Sequence, residues 1–192
     1  MCIRDRARSA RYAALAQNIL DGEVLSLAQH QDDQLETYLL QLMRGGGMHG
    51  LSAMPQTAKF AGGRLFRPLL ATRRVEIEAY AMTAGLSWVE DPSNADMTLD
   101  RNYLRHEILP LFRDRWPSIS ATVTRSARYA AEAAKLNDEL AALDAVKLSS
   151  DSSIDIPALL ELSSLRQRNL VRFIIRHQGI PVPPESRLNE IW

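Results

Sequence analysis

Titratable side chains crowd into one short stretch, His30-Gln31-Asp32-Asp33-Gln34-Leu35-Glu36-Thr37. A histidine and carboxylates at a strand end beside a helix N-terminus can bind Mg²⁺ or take a proton from an attacking amine. Capping explains the same spacing more simply. Asp33 and Glu36 match a capping box that opens a helix, with His30 as a hydrogen-bonded strand-end residue. Downstream, Arg44-Gly45-Gly46-Gly47 offers a guanidinium and backbone amides that no Cβ shields, suited to a phosphate or a nucleotide. A helix C-terminus followed by a flexible loop explains the spacing more simply.

Two further clusters are rich in arginine. Asp91-Pro92-Ser93-Asn94 is a turn former, and Arg101-Asn102-Tyr103-Leu104-Arg105 places two arginines one helical turn apart, able to grip an anion or a carboxylate. The alternative is an Asx turn beside a solvated arginine pair. Arg168, Arg172 and Arg176 repeat every fourth residue opposite Leu170, Phe173 and Ile174. Such a stripe can neutralise RNA phosphates, or it can be the wet face of a packed helix.

The elements that must position these residues follow from periodicity. Apolar positions from Ala7 to Leu20 recur at helical spacing until Asp21-Gly22, and Val24 to Ala28 forms a short apolar run. We expect a helix, then a buried strand that presents His30 at its carboxyl end. A second helix should start at Asp33 and stop at the glycines after Arg44. Leu65 to Leu70 is expected as an edge strand because of Pro68, and Thr72 as the cap of a helix running from Arg73 to Met82. Helix, strand, polar junction and helix make the alternation of a βαβ fold, in which ligands bind beyond the carboxyl ends of the strands. From Arg101 the pattern is helical to Trp116, and Pro117 marks a domain border. Beyond it Ala121 to Leu148, then Ile156 to His177 in one or two pieces, read as helices, and a fresh helical pattern runs from Leu188 to Trp192.

Composition narrows the class. The 192 residues carry 23 Lys+Arg against 23 Asp+Glu, so no net field announces a nucleic-acid partner. Positive charge is almost all arginine. A hydrophobic content of 46% supports a globular core, and no apolar run reaches the length of a bilayer span. A single cysteine, Cys2, leaves no internal disulfide and no cysteine-built zinc site. The default compartment is the cytoplasm.

Taken in order, these pieces resemble the tRNA(Ile)-lysidine synthetase family of the N-type ATP pyrophosphatases. The likeness is carried by Ala7-Arg8-Ser9-Ala10-Arg11-Tyr12, Ala28-Gln29-His30-Gln31-Asp32-Asp33-Gln34-Leu35-Glu36-Thr37, Arg44-Gly45, Gly50-Leu51, Arg67-Pro68-Leu69-Leu70, Asp91-Pro92-Ser93-Asn94, and Arg101-Asn102-Tyr103-Leu104-Arg105 with Leu109-Pro110-Leu111. Each is weak alone, and the ordered set is specific. The resemblance implies an α/β fold: an incomplete parallel-sheet domain of the adenine nucleotide alpha hydrolase-like, Rossmann-like kind, followed by an all-α domain. Residues 1–117 would be the catalytic part, with 1–5 as an unmatched leader, and 118–192 a truncated helical tRNA-binding part.

The family's phosphate loop, of the type Ser-Gly-Gly-x-Asp-Ser, has no match here, so a fragment without activity of its own is expected. In the family's reaction ATP, with Mg²⁺, adenylates the C2 oxygen of the wobble cytidine in tRNA(Ile) with a CAU anticodon, and L-lysine then displaces AMP. The implied roles are a base at His30 and Asp33 and attraction of the lysine ammonium by Glu36. Arg44, Gly45, Asp91, Asn94, Arg101, Asn102 and Arg105 would bind nucleotide or substrate, and Arg168, Arg172 and Arg176 would touch tRNA. A homodimer is compatible with this reading. The rival readings are a thiolating tRNA-modifying enzyme of the same superfamily, a metal phosphohydrolase built on His30, Asp32 and Asp33, and a helical RNA-binding remnant.

Overall fold

A computed structural model describes residues 3–150, 153–188 and 190. The chain forms two compact units, Met1–Ala130 and Ala131–Trp192, and the division falls inside one long helix.

In the first unit, helix α1 (Ile3–Asn18) carries the expected apolar repeat, and the chain turns at Gly22, whose φ of +81° favours glycine. Because α1 begins at Ile3, part of the supposed leader is helical. Strand β1 (Val24–Ser26) is shorter than expected and is not buried, since Val24 is 57% exposed. It has one strand neighbour among the described residues. That neighbour is β3 (Gly63–Phe66), paired in parallel with Leu25 opposite Leu65 and Ser26 opposite Phe66. Helix α2 (Gln31–Met43) lies between them in the chain, which is the βαβ order that the alternation implies.

The sheet is nevertheless mixed. Strand β2 (Thr57–Phe60), which periodicity did not suggest, folds back antiparallel onto β3 with Phe60 opposite Gly63. Its turn places Ala61 at φ +47°, where asparagine or glycine is the usual signal, so only Gly62-Gly63 marks the hairpin in the sequence. The strand order β1-β3-β2 makes β3 central, not an edge. Pro68 lies past its last residue and takes no place in the ladder. Gly63 is required where it stands: a Cβ there would come within 2.3 Å of the Glu23 carbonyl oxygen.

After α2 the glycine loop contains a single helical turn, α3 (Met48–Leu51). Helix α4 (Arg74–Thr83) is capped by Arg73 and not by Thr72, because Glu76 accepts from the Arg73 N–H at 2.8 Å. A 3₁₀ turn, Pro92–Ala95, precedes α5 (Asp100–Tyr103), a π-helical turn (Leu104–Ile108) and α6 (Leu109–Arg115). The core joins Leu35 of α2 to Leu109 and Val123, with Tyr38, Leu39, Phe112 and Ile119 around them.

Helix α7 (Ile119–Leu148) crosses from the first unit into the second. The second unit adds a two-residue hairpin, β4 (Ser149–Ser150) with β5 (Ser153–Ile154), then α8 (Ile156–Glu161), α9 (Ser164–His177) and α10 (Glu185–Leu188). The stretch from Ile156 to His177 is thus two helices. Asp155 caps α8 by accepting from the Ala158 N–H at 3.2 Å. Ala141, Leu148, Leu159 and Leu170 form this unit's core. The pattern from Leu188 to Trp192 lies mostly outside the described residues. No helix among the described residues is long and apolar enough to cross a membrane.

Candidate active site

The first turn of α2 gathers most of the chemistry, with a different register from the one the spacing suggests. Its N-cap is His30, and the Asp33 carboxylate accepts from the His30 N–H at 2.9 Å. The capping box is therefore His30-x-x-Asp33, and Glu36 is free of it. The side chain of His30 lies with Nε2 3.5 Å from Asp33, while its buried Nδ1 has no hydrogen-bond partner among the described residues.

Glu36 is fully buried and receives Arg105 in a two-pronged grip, Nε at 2.7 Å and Nη2 at 2.9 Å. Arg101 Nε stands 3.1 Å from the same carboxylate but is out of line for a hydrogen bond, and its Nη2 donates to Thr37 Oγ1 at 2.8 Å. The π-helical turn sits where both arginines must reach one acceptor. Arg105 also comes within 3.5 Å of Asp33. Burial works against its charge, but the hydrogen bonds and the charge of Glu36, with Asp33 and Asp32 behind it, hold the guanidinium above its ordinary value. Glu36 thus stands as a satisfied internal anion, not as an open attractor for an ammonium group.

Asn102 is buried, and its amide donates to the carbonyls of Ser93 and Asp96 at 2.8 and 2.9 Å. Asp91 accepts from the Ser93 N–H at 2.9 Å, and His106 Nε2 contacts the Asn94 carbonyl at 3.0 Å. Asp91, Asn94 and Asn102 therefore build and hold the 91–96 turn against the arginine-bearing segment. Arg44 and Gly45 close the other end of α2, about 16 Å along the axis from Asp33 at the usual helical rise. Arg44 is largely exposed and lies 3.9 Å from Asp100, while Gly45 adopts φ +68°.

In the second unit Arg176 donates to Asp138 at 2.5 Å and Arg172 lies 3.7 Å from Glu185. Arg168 has no ion-pair partner among the described residues. Two of the three stripe arginines are thus neutralised within their own unit. A buried Asp144, paired with Arg166, joins α7 to α9.

Sequence reasoning assigned no structural partner to several residues. Asp32 binds three donors, as described below. Gln34 brackets Met54, accepting from its N–H at 2.8 Å and donating to its carbonyl at 2.7 Å, and so ties the glycine loop to α2. Buried Arg67 donates to Gln29 Oε1 at 3.0 Å and to the Pro55 carbonyl at 2.7 Å. No local pattern marks these partners. Asp33 borders a pocket of 340 Å³ beyond the end of β1, with Arg11, Tyr12, Leu27, Ala28 and Gln29. Asp32, Glu36, Arg74, Arg105, Arg113 and Ser120 help line a separate cleft of 940 Å³.

Among the described residues no three candidate ligands cluster as a metal site. Asp32 and Asp33 both accept from N–H donors in this structure.

A mixed α/β sheet with polar groups beyond the end of β1 fits a nucleotide-handling domain, and the profile of the PP-loop domain family matches residues 1–112. The chain belongs to that family. The match includes Met1–Asp5. A second profile, the TilS substrate binding domain, matches residues 154–192. Among individual proteins, the chain is 46% identical over 185 residues to the tRNA(Ile)-lysidine synthase of Coxiella burnetii, covering 96% of the chain and 41% of that protein. Against the tRNA(Ile)-lysidine synthase of Vibrio campbellii identity is 49%, over 97% of the chain and 42% of the relative. For that of Escherichia coli O157:H7 the values are 46%, 99% and 44%. The chain spans less than half the length of these relatives.

Proposed function

We propose that this chain belongs to an enzyme that forms lysidine on tRNA(Ile) with a CAU anticodon, using ATP and L-lysine. The observation that carries the reading is the placement of Asp33, bonded to the His30 N–H, on a pocket beyond β1, in a chain 46–49% identical to proteins named tRNA(Ile)-lysidine synthase. In the first step the cytidine C2 oxygen attacks the α-phosphorus of ATP, and the bond to pyrophosphate breaks. In the second the lysine side-chain amine attacks C2, the C–O bond breaks, and AMP leaves with that oxygen. The amine reacts only after losing a proton, and Asp33 with His30 is the acceptor. Mg²⁺ accompanies the nucleotide in this reading.

Glu36 anchors Arg101 and Arg105, and an incoming lysine ammonium group would have to compete with Arg105 for its carboxylate. Arg101 and Arg105 face the anionic reactants; Asp91, Asn94 and Asn102 hold the turn beside them. Arg44 and Gly45 serve a more distant nucleotide or tRNA contact. The second unit contributes tRNA binding, with Arg168 the least engaged of its stripe. Such a substrate places the reaction in the cytoplasm, and a homodimer is compatible with it.

The test is Asp33→Asn and Asp33→Ala in the longest form of the protein that its gene encodes, with AMP release followed in the presence of tRNA, ATP and lysine. Asparagine can still accept from the His30 N–H but cannot take a proton. We expect turnover in Asp33→Asn to fall by about 10²-fold or more while stability stays within about 0.5 kcal/mol. Asp33→Ala should lose about 1 kcal/mol of stability as well. Wild-type turnover in Asp33→Asn removes Asp33 from the chemistry, and absence of lysine-dependent AMP release in the wild type overturns the function.

A further inference from the structure

We propose that Asp32 is a positioning residue: it fixes the first turn of α2, and so the placement of His30 and Asp33, against the start of α4 and the corner between α6 and α7. The activity arm of this inference rests on the function proposed above; its structural arm does not.

Two adjacent aspartates face opposite ways. Asp33 turns to the His30 N–H and the small pocket, whereas Asp32 turns to the large cleft. Its Oδ2 accepts from the Arg74 N–H at 3.0 Å, at the N-terminus of α4. Its Oδ1 accepts from Arg113 Nη2 at 2.7 Å and from Ser120 Oγ at 3.1 Å. These partners lie 42, 81 and 88 residues away in sequence, on three different helices. One carboxylate thus joins four helices. A backbone hydrogen bond from the Gln31 N–H to the Thr72 carbonyl, 2.9 Å, supports the same seam. Burial pushes the Asp32 carboxyl up, yet the Arg74 N–H, Arg113, Ser120 and His30 together bring it below its ordinary value.

An acceptor with no donor of its own is what this seam demands. Arg74 and Arg113 present N–H groups to opposite oxygens, and only Ser120 can reverse its role. Asparagine has the same shape, but its NH₂ must face either Arg74 or Arg113 and meet a donor there. The turn should then shift, and a displacement of about 1 Å in reacting groups can cost about 10²-fold in rate. Arg113→Met removes one opposing donor while keeping an unbranched apolar stem, so it should partly relieve the conflict.

The experiment uses Asp32→Asn, alone and with Arg113→Met, in the longest form of the protein that its gene encodes. Amide hydrogen exchange should speed up by about tenfold or more at residues 31–36 and at Arg74, with the rest of the first unit little changed. For AMP release, measured well below the melting temperature, kcat should fall by about tenfold or more while KM for ATP stays within about threefold. The double variant should recover part of the lost kcat. Unchanged exchange at residues 31–36 overturns the proposal, as does a rise spread evenly over the unit, which would indicate mere destabilisation. Locally faster exchange with wild-type kcat overturns the link to the reaction. A wild-type protein that releases no lysine-dependent AMP sinks the functional reading, and the exchange result then decides the position of Asp32 alone.

Discussion

Replacing Glu36 by glutamine tests how far the arginine-bearing segment depends on one internal anion. Glu36 is 0% exposed, and its two oxygens take Arg105 at 2.7 and 2.9 Å with Arg101 at 3.1 Å. Glutamine keeps the volume but turns one acceptor into an NH₂ that faces a guanidinium N–H, and it leaves the mostly buried Arg105 with only Asp33, 3.5 Å away, as a nearby counter-charge among the described residues. Hydrogen bonds to charged groups contribute about 1.5–3 kcal/mol each, and breaking a buried pair costs about 3–5 kcal/mol. We expect a loss of about 3–5 kcal/mol, or very roughly 6–20 °C in melting temperature for a chain of this size. Far-ultraviolet circular dichroism melts and urea titrations measure it. The control is Arg44→Ala, whose partner Asp100 lies 3.9 Å away with both side chains exposed, where about 0.5 kcal/mol or less is expected. If Glu36→Gln loses no more than that control, the reasoning about a buried hub is wrong.

The glycine loop and the pH dependence give two more tests. Gly46→Ala should destabilise measurably, because its Cβ would lie 2.8 Å from the Gln41 carbonyl oxygen, whereas Gly47→Ala meets nothing within 4 Å and should melt like the wild type. Equal melting temperatures for the two variants would refute the contact. For Asp32, whose carboxyl is held below its ordinary 3.8, the folded state favours the charged form. Its contribution is complete above the ordinary value and is lost as the pH falls through the lowered one. Urea titrations below about pH 4 should therefore show a shallower loss of stability in Asp32→Asn than in the wild type, with parallel behaviour between about pH 5 and 8.

Local patterns in the chain were enough for the α/β order, for the long alanine-rich helix and for the stretch where chemistry gathers. Helical spacing in Tyr12, Leu15 and Ala16, the break at Gly22 and the turn formers at Asp91 and Asn94 are all short-range signals, and they stand in the fold as expected, although the helix ends at Asn18, before Ile19. The β2–β3 hairpin is faint in the sequence because Ala61 takes φ +47° where glycine is usual, leaving Gly62-Gly63 as the turn signal. The place of β3 in the sheet was misread because a proline just past a strand looks, in one dimension, like a proline within it.

The capping box shows where local reading stops. His30-x-x-Asp33 and Asp33-x-x-Glu36 have the same spacing, and composition alone prefers the second. Tertiary structure chose the first, since Arg101 and Arg105, 65 and 69 residues downstream of Glu36 in the numbering, converge on its carboxylate and take it out of the helix start. In the same way the sequence states that Asp32 and Asp33 are neighbours but not that they face opposite sides. That follows from which donors the distant α4, α6 and α7 bring to the seam, because a carboxylate turns to the N–H groups available in three dimensions and not to those nearest along the chain.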